Sequence, residues 1–186
     1  SRLILLQPLG IKELPRHVRH KARIIYQSVE ILRKKSLPLK GFFEVCVIGH
    51  LRPVKDPFRT AIAARLLPPS LRIRVTHLGA ALSKAMSARA RKEMQRNPRY
   101  RWLGEFPRAK ALRILARSQL LVLTSRLEGG ANVVSEALAA GVPIVSSRIA
   151  GSIGILGSDY PGYFPVGDTR ALAAMLGRAE CDRQFY

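Results

Sequence analysis

Residues 120–146 read LLVLTSRLEGGANVVSEALAAGVPIVS, and this stretch decides how the chain folds. It opens with the apolar run Leu120–Leu123, which predicts a strand over residues 120–124 that is buried on both faces. A loop with Gly129-Gly130 follows, then a helical pattern over residues 133–140 and a second apolar run over residues 142–146. Two buried strands joined by a helix are typical of a parallel β-α-β unit.

The same alternation extends over most of the chain. Further strands are predicted at residues 43–48, 71–78 and 100–103, and further helices at residues 56–67, 81–96, 108–117 and 169–178. Asp56, followed by Pro57, is predicted to cap the first of these helices, and Asp168 the last. We therefore predict an α/β fold, with a Rossmann-like parallel sheet and helices on both faces. Ligands of such sheets bind at the carboxyl ends of the strands.

Residues 1–40 break this pattern. Two short strands are predicted at residues 3–6 and 22–26, and residues 36–41 have the composition of a linker. We therefore divide the chain into the end of a preceding domain with its linker (residues 1–40) and one α/β domain (residues 41–186). Because the two strands have no preceding domain to join, we expect the chain to start within a larger protein.

Composition narrows the classes of function. The 186 residues are 47% hydrophobic and carry a net charge of +20, and residues 1–117 hold 27 Lys or Arg against 6 Asp or Glu. A basic nucleic-acid-binding module is therefore one alternative, but no zinc-finger spacing, basic zipper or aromatic-rich strand motif accompanies the charge. We favour solvated helix faces, as at Arg89, Arg91, Lys92 and Arg96.

Membrane insertion and disulfide bonding have no support in the sequence. No apolar run approaches the roughly 20 residues of a membrane span. Cys46 and Cys181 are the only cysteines and form no Cys-x-x-Cys pair. We expect a cytoplasmic protein.

The loop and helix start after Leu123 carry the residues best suited to chemistry. Gly129-Gly130 allows a close backbone approach, and a helix starting near Asn132 directs free N–H groups and its positive dipole end into the loop, which suits a phosphate. Glu136 lies one turn further on the same helix face, where it can accept bonds from sugar hydroxyls, and Glu128 lies in the loop itself. The alternative is a glycine-rich turn with two solvated glutamates.

Two glutamates at this spacing around a glycine turn resemble the E-x7-E motif of family 4 of the retaining glycosyltransferases, whose GT-B fold has two facing Rossmann-like domains. The resemblance implies that residues 41–186 are the donor-binding, C-terminal half of such an enzyme. It implies that Glu136 holds the nucleotide ribose and that Glu128 approaches the donor sugar as a catalytic residue. It further implies that the donor diphosphate is held by the backbone of Gly129, Gly130, Ala131, Asn132 and Val133.

A second block, GHLRPVKDP at residues 49–57, resembles the family's Gly-Arg-Leu-x-x-x-Lys-Gly loop. Lys55 matches the Lys that neutralises the diphosphate. His50 replaces the expected Arg, and Arg52 can substitute for it. Residues 102–105 are similar to the loop that lies against the base, and the alternative for Trp102 is a core residue. The Gly-Gly-Ala-Asn sequence after Glu128, and a predicted loop at residues 150–154 without an acidic residue, depart from the family and leave the sugar less defined than the nucleotide.

These blocks, together with DYPGYFPVGD at residues 159–168, look similar to one subfamily, the selenosugar synthases of selenoneine biosynthesis. That resemblance implies UDP-N-acetylglucosamine as donor, selenophosphate as a small acceptor, and an acceptor-binding N-terminal domain outside this chain. No Asp-x-Asp motif is present, so we expect metal-independent transfer with no cofactor besides the donor. A sugar-nucleotide-binding domain without catalytic activity is a further alternative.

Overall fold

The structure, a computed structural model, describes residues 1–29 and 41–186. Two short parallel strands, β1 (Leu3–Leu5) and β2 (Ala22–Ile24), pair with each other. The main sheet has six parallel strands: β3 (Phe43–Ile48), β4 (Ile73–Leu78), β5 (Tyr100–Trp102), β6 (Leu120–Leu123), β7 (Ile144–Ser147) and β8 (Tyr163–Phe164).

Helices cover both faces of this sheet. They are α1 (Arg59–Arg65), α2 (Lys84–Arg96), α3 (Arg108–Ala116), α4 (Asn132–Ala140), α5 (Ala150–Leu156) and α6 (Thr169–Cys181). One apolar core lies between the sheet and α1 with α6, and a second between the opposite face and α3 with α4. The predicted fold class is therefore confirmed. Within the described residues no helix is long and apolar enough to cross a membrane.

The strand order β5-β4-β3-β6-β7-β8 reverses direction at the centre of the sheet. From β3 the chain moves outward to β5, then returns to place β6 on the other side of β3 and moves outward to β8. The loops after β3 and β6 lead away from this reversal in opposite directions and leave a crevice between them. Open α/β sheets bind their ligands in such a crevice. The predicted site residues lie in these two loops and at the start of α4.

The N-terminal segment, residues 1–29, packs on the loop edge of the domain. Gln7 is only 2% exposed. A side chain at Gly154 of α5 would collide with Gln7, and a Cβ at Gly130 would lie 2.7 Å from the Cβ of Leu6. The segment therefore forms a wall beside the loop after β6. The predicted linker lies mostly outside the described residues.

The predicted cap at Asp56 is wrong. Asp56 ends a 3-10 turn at Pro53–Lys55, in the left-handed conformation (φ 44°), and α1 starts only at Arg59, after Phe58. The Thr124 hydroxyl donates to the Asp56 carbonyl, which fixes the backbone in this conformation. Asp is among the residues that tolerate it best. The Asp56 carboxylate pairs with Arg59 instead of capping a helix.

The predicted loop at residues 150–154 is helical and forms most of α5. Its glycines serve close packing. A side chain at Gly151 would collide with the carbonyl of Glu128, and one at Gly154 would collide with Gln7. The short strand β8 was not predicted, because a two-residue strand leaves almost no periodic signal.

His77 joins β4 to the loop after β3. Its Nε2 lies 3.0 Å from the Gly49 carbonyl and its Nδ1 lies 3.0 Å from the Tyr100 hydroxyl. Since a carbonyl only accepts, Nε2 carries the proton and Nδ1 accepts from Tyr100. Burial lowers the pKa of His77 from 6.5 to about 4, because the charged imidazolium is poorly solvated there.

We expect His77 to make stability depend on pH. The folded state favours the neutral imidazole. The contribution of His77 to the free energy of unfolding is therefore complete above pH 6.5 and is lost as the pH falls towards 4. Between pH 7 and pH 5 this group alone should lower the free energy of unfolding by about 2 kcal/mol.

Urea unfolding of the unaltered protein and of His77→Gln at both pH values measures this contribution of His77 to the free energy of unfolding. The variant should lose less stability over the interval, since all other titrating groups are shared. Equal losses in the two proteins would show that His77 does not contribute.

Candidate functional site

The loop after β3 presents the predicted cationic residues. His50 and Arg52 are exposed and Lys55 is partly buried, while Leu51 between them is buried and anchors the loop. The backbone N–H of Ala80 donates to His50 Nδ1 over 3.0 Å, so this nitrogen is an acceptor. A side chain at Gly79 would collide with the Gly49 carbonyl, and its φ of +148° also requires glycine.

Two contacts attach this loop to the end of β6. The Thr124 hydroxyl donates to the carbonyls of Lys55 (2.9 Å) and Asp56 (3.0 Å). The backbone N–H of Arg126 donates to the Val54 carbonyl over 2.8 Å. The structure therefore brings together two blocks that lie about 70 residues apart in the sequence.

Lys55 and Glu128 form an ion pair across the two loops, between Nζ and Oε1. The Ser125 hydroxyl donates to the same carboxylate oxygen over 2.5 Å. The Lys55 and Glu128 side chains are 28% and 11% exposed, so both still reach solvent. The residues predicted for the diphosphate and the donor sugar are thus direct neighbours.

The loop from Glu128 to α4 is exposed at its first glycine and packed against the N-terminal segment at its second. Gly129 is exposed with free space around it, and Gly130 lies against Leu6. Helix α4 begins at Asn132 after the N-cap residue Ala131, and no side chain caps it. The N–H of Val134 donates to the Ala131 carbonyl over 2.9 Å, so among the described residues the first-turn N–H groups of Asn132 and Val133 are the ones left to a ligand or to solvent. Asn132 is exposed, whereas Val133 is buried in the core under α4.

Glu136 lies one turn into α4 and is 9% exposed. Its Oε1 accepts from Arg108 Nε (3.1 Å) and Nη2 (2.9 Å). Sequence reasoning missed Arg108. It is one of many arginines in the basic part of the chain, and only the packing of α3 against α4 identifies it.

Two clefts adjoin these loops. One, of about 620 Å³, has Asn132, Glu136 and Arg108 on one side, and its remaining lining comes from the N-terminal segment, including Ile4, Leu6, Ile25, Tyr26, Gln27 and Ser28. The other, of about 310 Å³, is lined by His50, Arg52 and Lys55, together with Gly79, Glu105 and Phe106. Every predicted side-chain ligand except Glu128 lines one of the two clefts.

The loop expected against the base, residues 102–105, is divided between two roles. Glu105 lines the smaller cleft. Trp102 instead donates from Nε1 to the Gly79 carbonyl over 2.8 Å and packs against the apolar core. Trp102 therefore supports the backbone beside His50 rather than facing that cleft.

Three cations, Arg52, Lys55 and Arg108, line the two clefts and can bind an anionic ligand. Lys55 pairs with Glu128 and Arg108 with Glu136, whereas Arg52 forms no ion pair within residues 1–29 and 41–186. Glu105 also lines the smaller cleft, and His50 adds a further hydrogen-bonding group there. Cationic side chains at an uncapped helix start are a common setting for phosphate groups. Within residues 1–29 and 41–186 no three His, Cys, Asp or Glu side chains are grouped as metal ligands would be.

Solved structures with the same fold are glycosyltransferases and related synthases. HepE from Anabaena, bound to UDP and glucose, aligns with a TM-score of 0.82 at 20% identity, over 100% of this chain and 55% of its own. Sucrose-phosphate synthase from Thermosynechococcus elongatus aligns with a TM-score of 0.79 at 20% identity, over 98% of this chain and 49% of its own. At these identities the likeness shows the fold, and the chain spans about half the length of these proteins.

A further match is the lipopolysaccharide outer core galactosyltransferase WaaB, with a TM-score of 0.72 at 17% identity over 96% of this chain and 52% of its own. A search of curated proteins finds no significant match. A scan against family models matches residues 28–184 to "Glycosyl transferases group 1". Because that match spans most of the sequence, the chain belongs to the group 1 glycosyl transferases.

Proposed function

We propose that this chain binds the nucleotide-sugar donor of a glycosyltransferase and that the nucleotide is UDP. One observation carries the proposal: Lys55, Glu128 and the uncapped start of α4 lie together at the reversal of strand order, with Glu136 one turn into that helix. Membership in the group 1 glycosyl transferases supports the same activity. HepE, which shares the fold, binds UDP and UDP-glucose.

Lys55, Arg52 and the start of α4 are assigned to the donor diphosphate. When the anomeric carbon–oxygen bond breaks, the UDP leaving group gains negative charge. Fixed cations and helix N–H groups stabilise that charge without reorganising, which lowers the barrier to transfer. His50 can add a hydrogen bond in place of the arginine that the family-4 motif has at this position.

The two glutamates are assigned to the hydroxyl-bearing parts of the donor. Glu136 accepts from the ribose, since it is one helical turn from the phosphate end of α4. Glu128 lies beside the diphosphate cation Lys55 and is assigned to the transferred sugar. These roles follow the E-x7-E resemblance to the retaining enzymes of family 4.

The finer proposal is UDP-N-acetylglucosamine as donor and selenophosphate as acceptor, with a further domain to hold the acceptor. Selenium would form a bond to the anomeric carbon as the bond to UDP breaks. Water would then cleave the phosphorus–selenium bond and release phosphate, leaving a selenosugar. The resemblance of residues 49–57, 128–137 and 159–168 to selenosugar synthases supports this choice.

UDP should stabilise the chain against heat. Ligand at one hundred times its dissociation constant adds about 2.7 kcal/mol to the free energy of unfolding. For a domain of this size that corresponds to a rise in Tm of roughly 5–10 °C. Differential scanning fluorimetry with UDP, other nucleoside diphosphates and uridine measures it, and no rise with any of them at millimolar concentration would contradict the proposal.

Lys55→Met should weaken UDP binding by about 10- to 100-fold, the usual range for a lost charge-assisted hydrogen bond. Uridine has no phosphate, so its affinity should not change. Isothermal titration calorimetry with both ligands measures the difference, and Lys92→Met, at an exposed position of α2, is the control. Equal losses of affinity for UDP and for uridine would show that Lys55 does not bind the diphosphate.

Glu128→Gln should leave UDP affinity within a few-fold of that of the unaltered protein. The amide keeps the size of the side chain and removes a negative charge next to the assigned diphosphate site. The ratio of the affinity for UDP-N-acetylglucosamine to that for UDP should fall, because the carboxylate is assigned to the sugar. If UDP affinity instead falls as far as in Lys55→Met, Glu128 serves only to hold Lys55.

A further inference from the structure

We infer that Arg108 is a positioning residue, which fixes the Glu136 carboxylate so that it can accept hydrogen bonds from the ribose. The inference rests on the proposed function, because Glu136 is assigned to the ribose there. It adds a residue that no motif in the sequence marks.

Glu136 is a buried acidic side chain that needs a partner. It is 9% exposed, and a carboxylate so far out of water is costly unless it is paired. Within the described residues Arg108 is its only salt-bridge or side-chain hydrogen-bond partner. Without Arg108 the carboxylate could turn towards solvent.

The geometry of the pair fixes the orientation of the carboxylate. Nε and Nη2 of Arg108 both donate to Oε1, at 3.1 and 2.9 Å. No hydrogen bond to Oε2 is found within residues 1–29 and 41–186. One oxygen is therefore held by the planar guanidinium, and the other is left for the hydroxyl groups of a ligand.

The position of Arg108 indicates that it serves Glu136 rather than its own helix. It is the first residue of α3, after Pro107, and within the described residues the first turn has neither a side-chain cap nor an acidic residue. A cation at the positive end of a helix dipole is unfavourable. The Glu136 carboxylate, contributed by the neighbouring α4, offsets that penalty.

Arg108 also lies on the same cleft as the residue that it holds. Glu136, Asn132 and Arg108 line one side of the 620 Å³ cleft. The Arg108 side chain is 59% exposed, so the pair is formed at the surface of the cleft rather than sealed below it. A ligand that enters the cleft therefore meets a carboxylate whose direction is already set.

The test measures the affinities of UDP, 2′-deoxy-UDP and inorganic pyrophosphate by calorimetry. Arg108→Gln should bind UDP about tenfold more weakly, equivalent to one hydrogen bond, with pyrophosphate unchanged. The preference for UDP over 2′-deoxy-UDP should also shrink. Arg108→Lys should recover part of the loss, since it restores the charge without the two-point contact.

A double-mutant cycle separates positioning from direct contact. In a Glu136→Gln background, Arg108→Gln should cause little further loss of UDP affinity, because the group that it positions is already gone. Arg113→Gln is the matched control, since Arg113 is exposed on the same helix and, among the described residues, its side chain bonds only to Ala109 of its own helix. That variant should bind UDP as the unaltered protein does.

Four results would overturn the inference. An equal loss of UDP and pyrophosphate in Arg108→Gln would show that Arg108 binds the phosphates itself. Additive losses in the cycle would show that the two residues act independently. Unchanged UDP affinity in Arg108→Gln would overturn this inference alone, whereas absence of UDP binding by the unaltered protein would overturn the proposed function together with it.

Discussion

The arrangement of the candidate site depends on the hydroxyl of Thr124. It donates to two successive carbonyls, those of Lys55 and Asp56, and so joins the end of β6 to the loop after β3. This attachment fixes Asp56 in its left-handed conformation and brings Lys55 next to Glu128. Because Thr124 is buried, these bonds are shielded from competition by water.

Much of the fold could be predicted because apolar runs and stop signals are local. The bounds of β3 and the glycine that ends α4 follow directly from the sequence, and Gly141 adopts the left-handed conformation expected of a helix stop. The parallel order follows from alternating strands and helices. The spacing of Glu128 and Glu136 marked the loop after β6 as the candidate site.

The features that escaped prediction depend on contacts between distant segments. Asp56 is followed by a proline and has every local property of a helix cap, yet its backbone is set by Thr124, 68 residues later. The resemblance to the family predicts a loop at residues 150–154, whereas in the structure their glycines allow a helix to pack against Glu128 and Gln7. Arg108 could not be told from other exposed arginines until α3 and α4 were placed side by side.

The two glutamates of the motif are both held by ion pairs. Each lies in the β6–α4 region and each pairs with a cation supplied from another segment, Lys55 from the loop after β3 and Arg108 from the start of α3. A carboxylate largely out of water keeps its direction more readily when such a partner holds it. Since the cations come from two different segments, the carboxylates are fixed separately. The two ends of an elongated anionic ligand can therefore be recognised by carboxylates that do not share a partner.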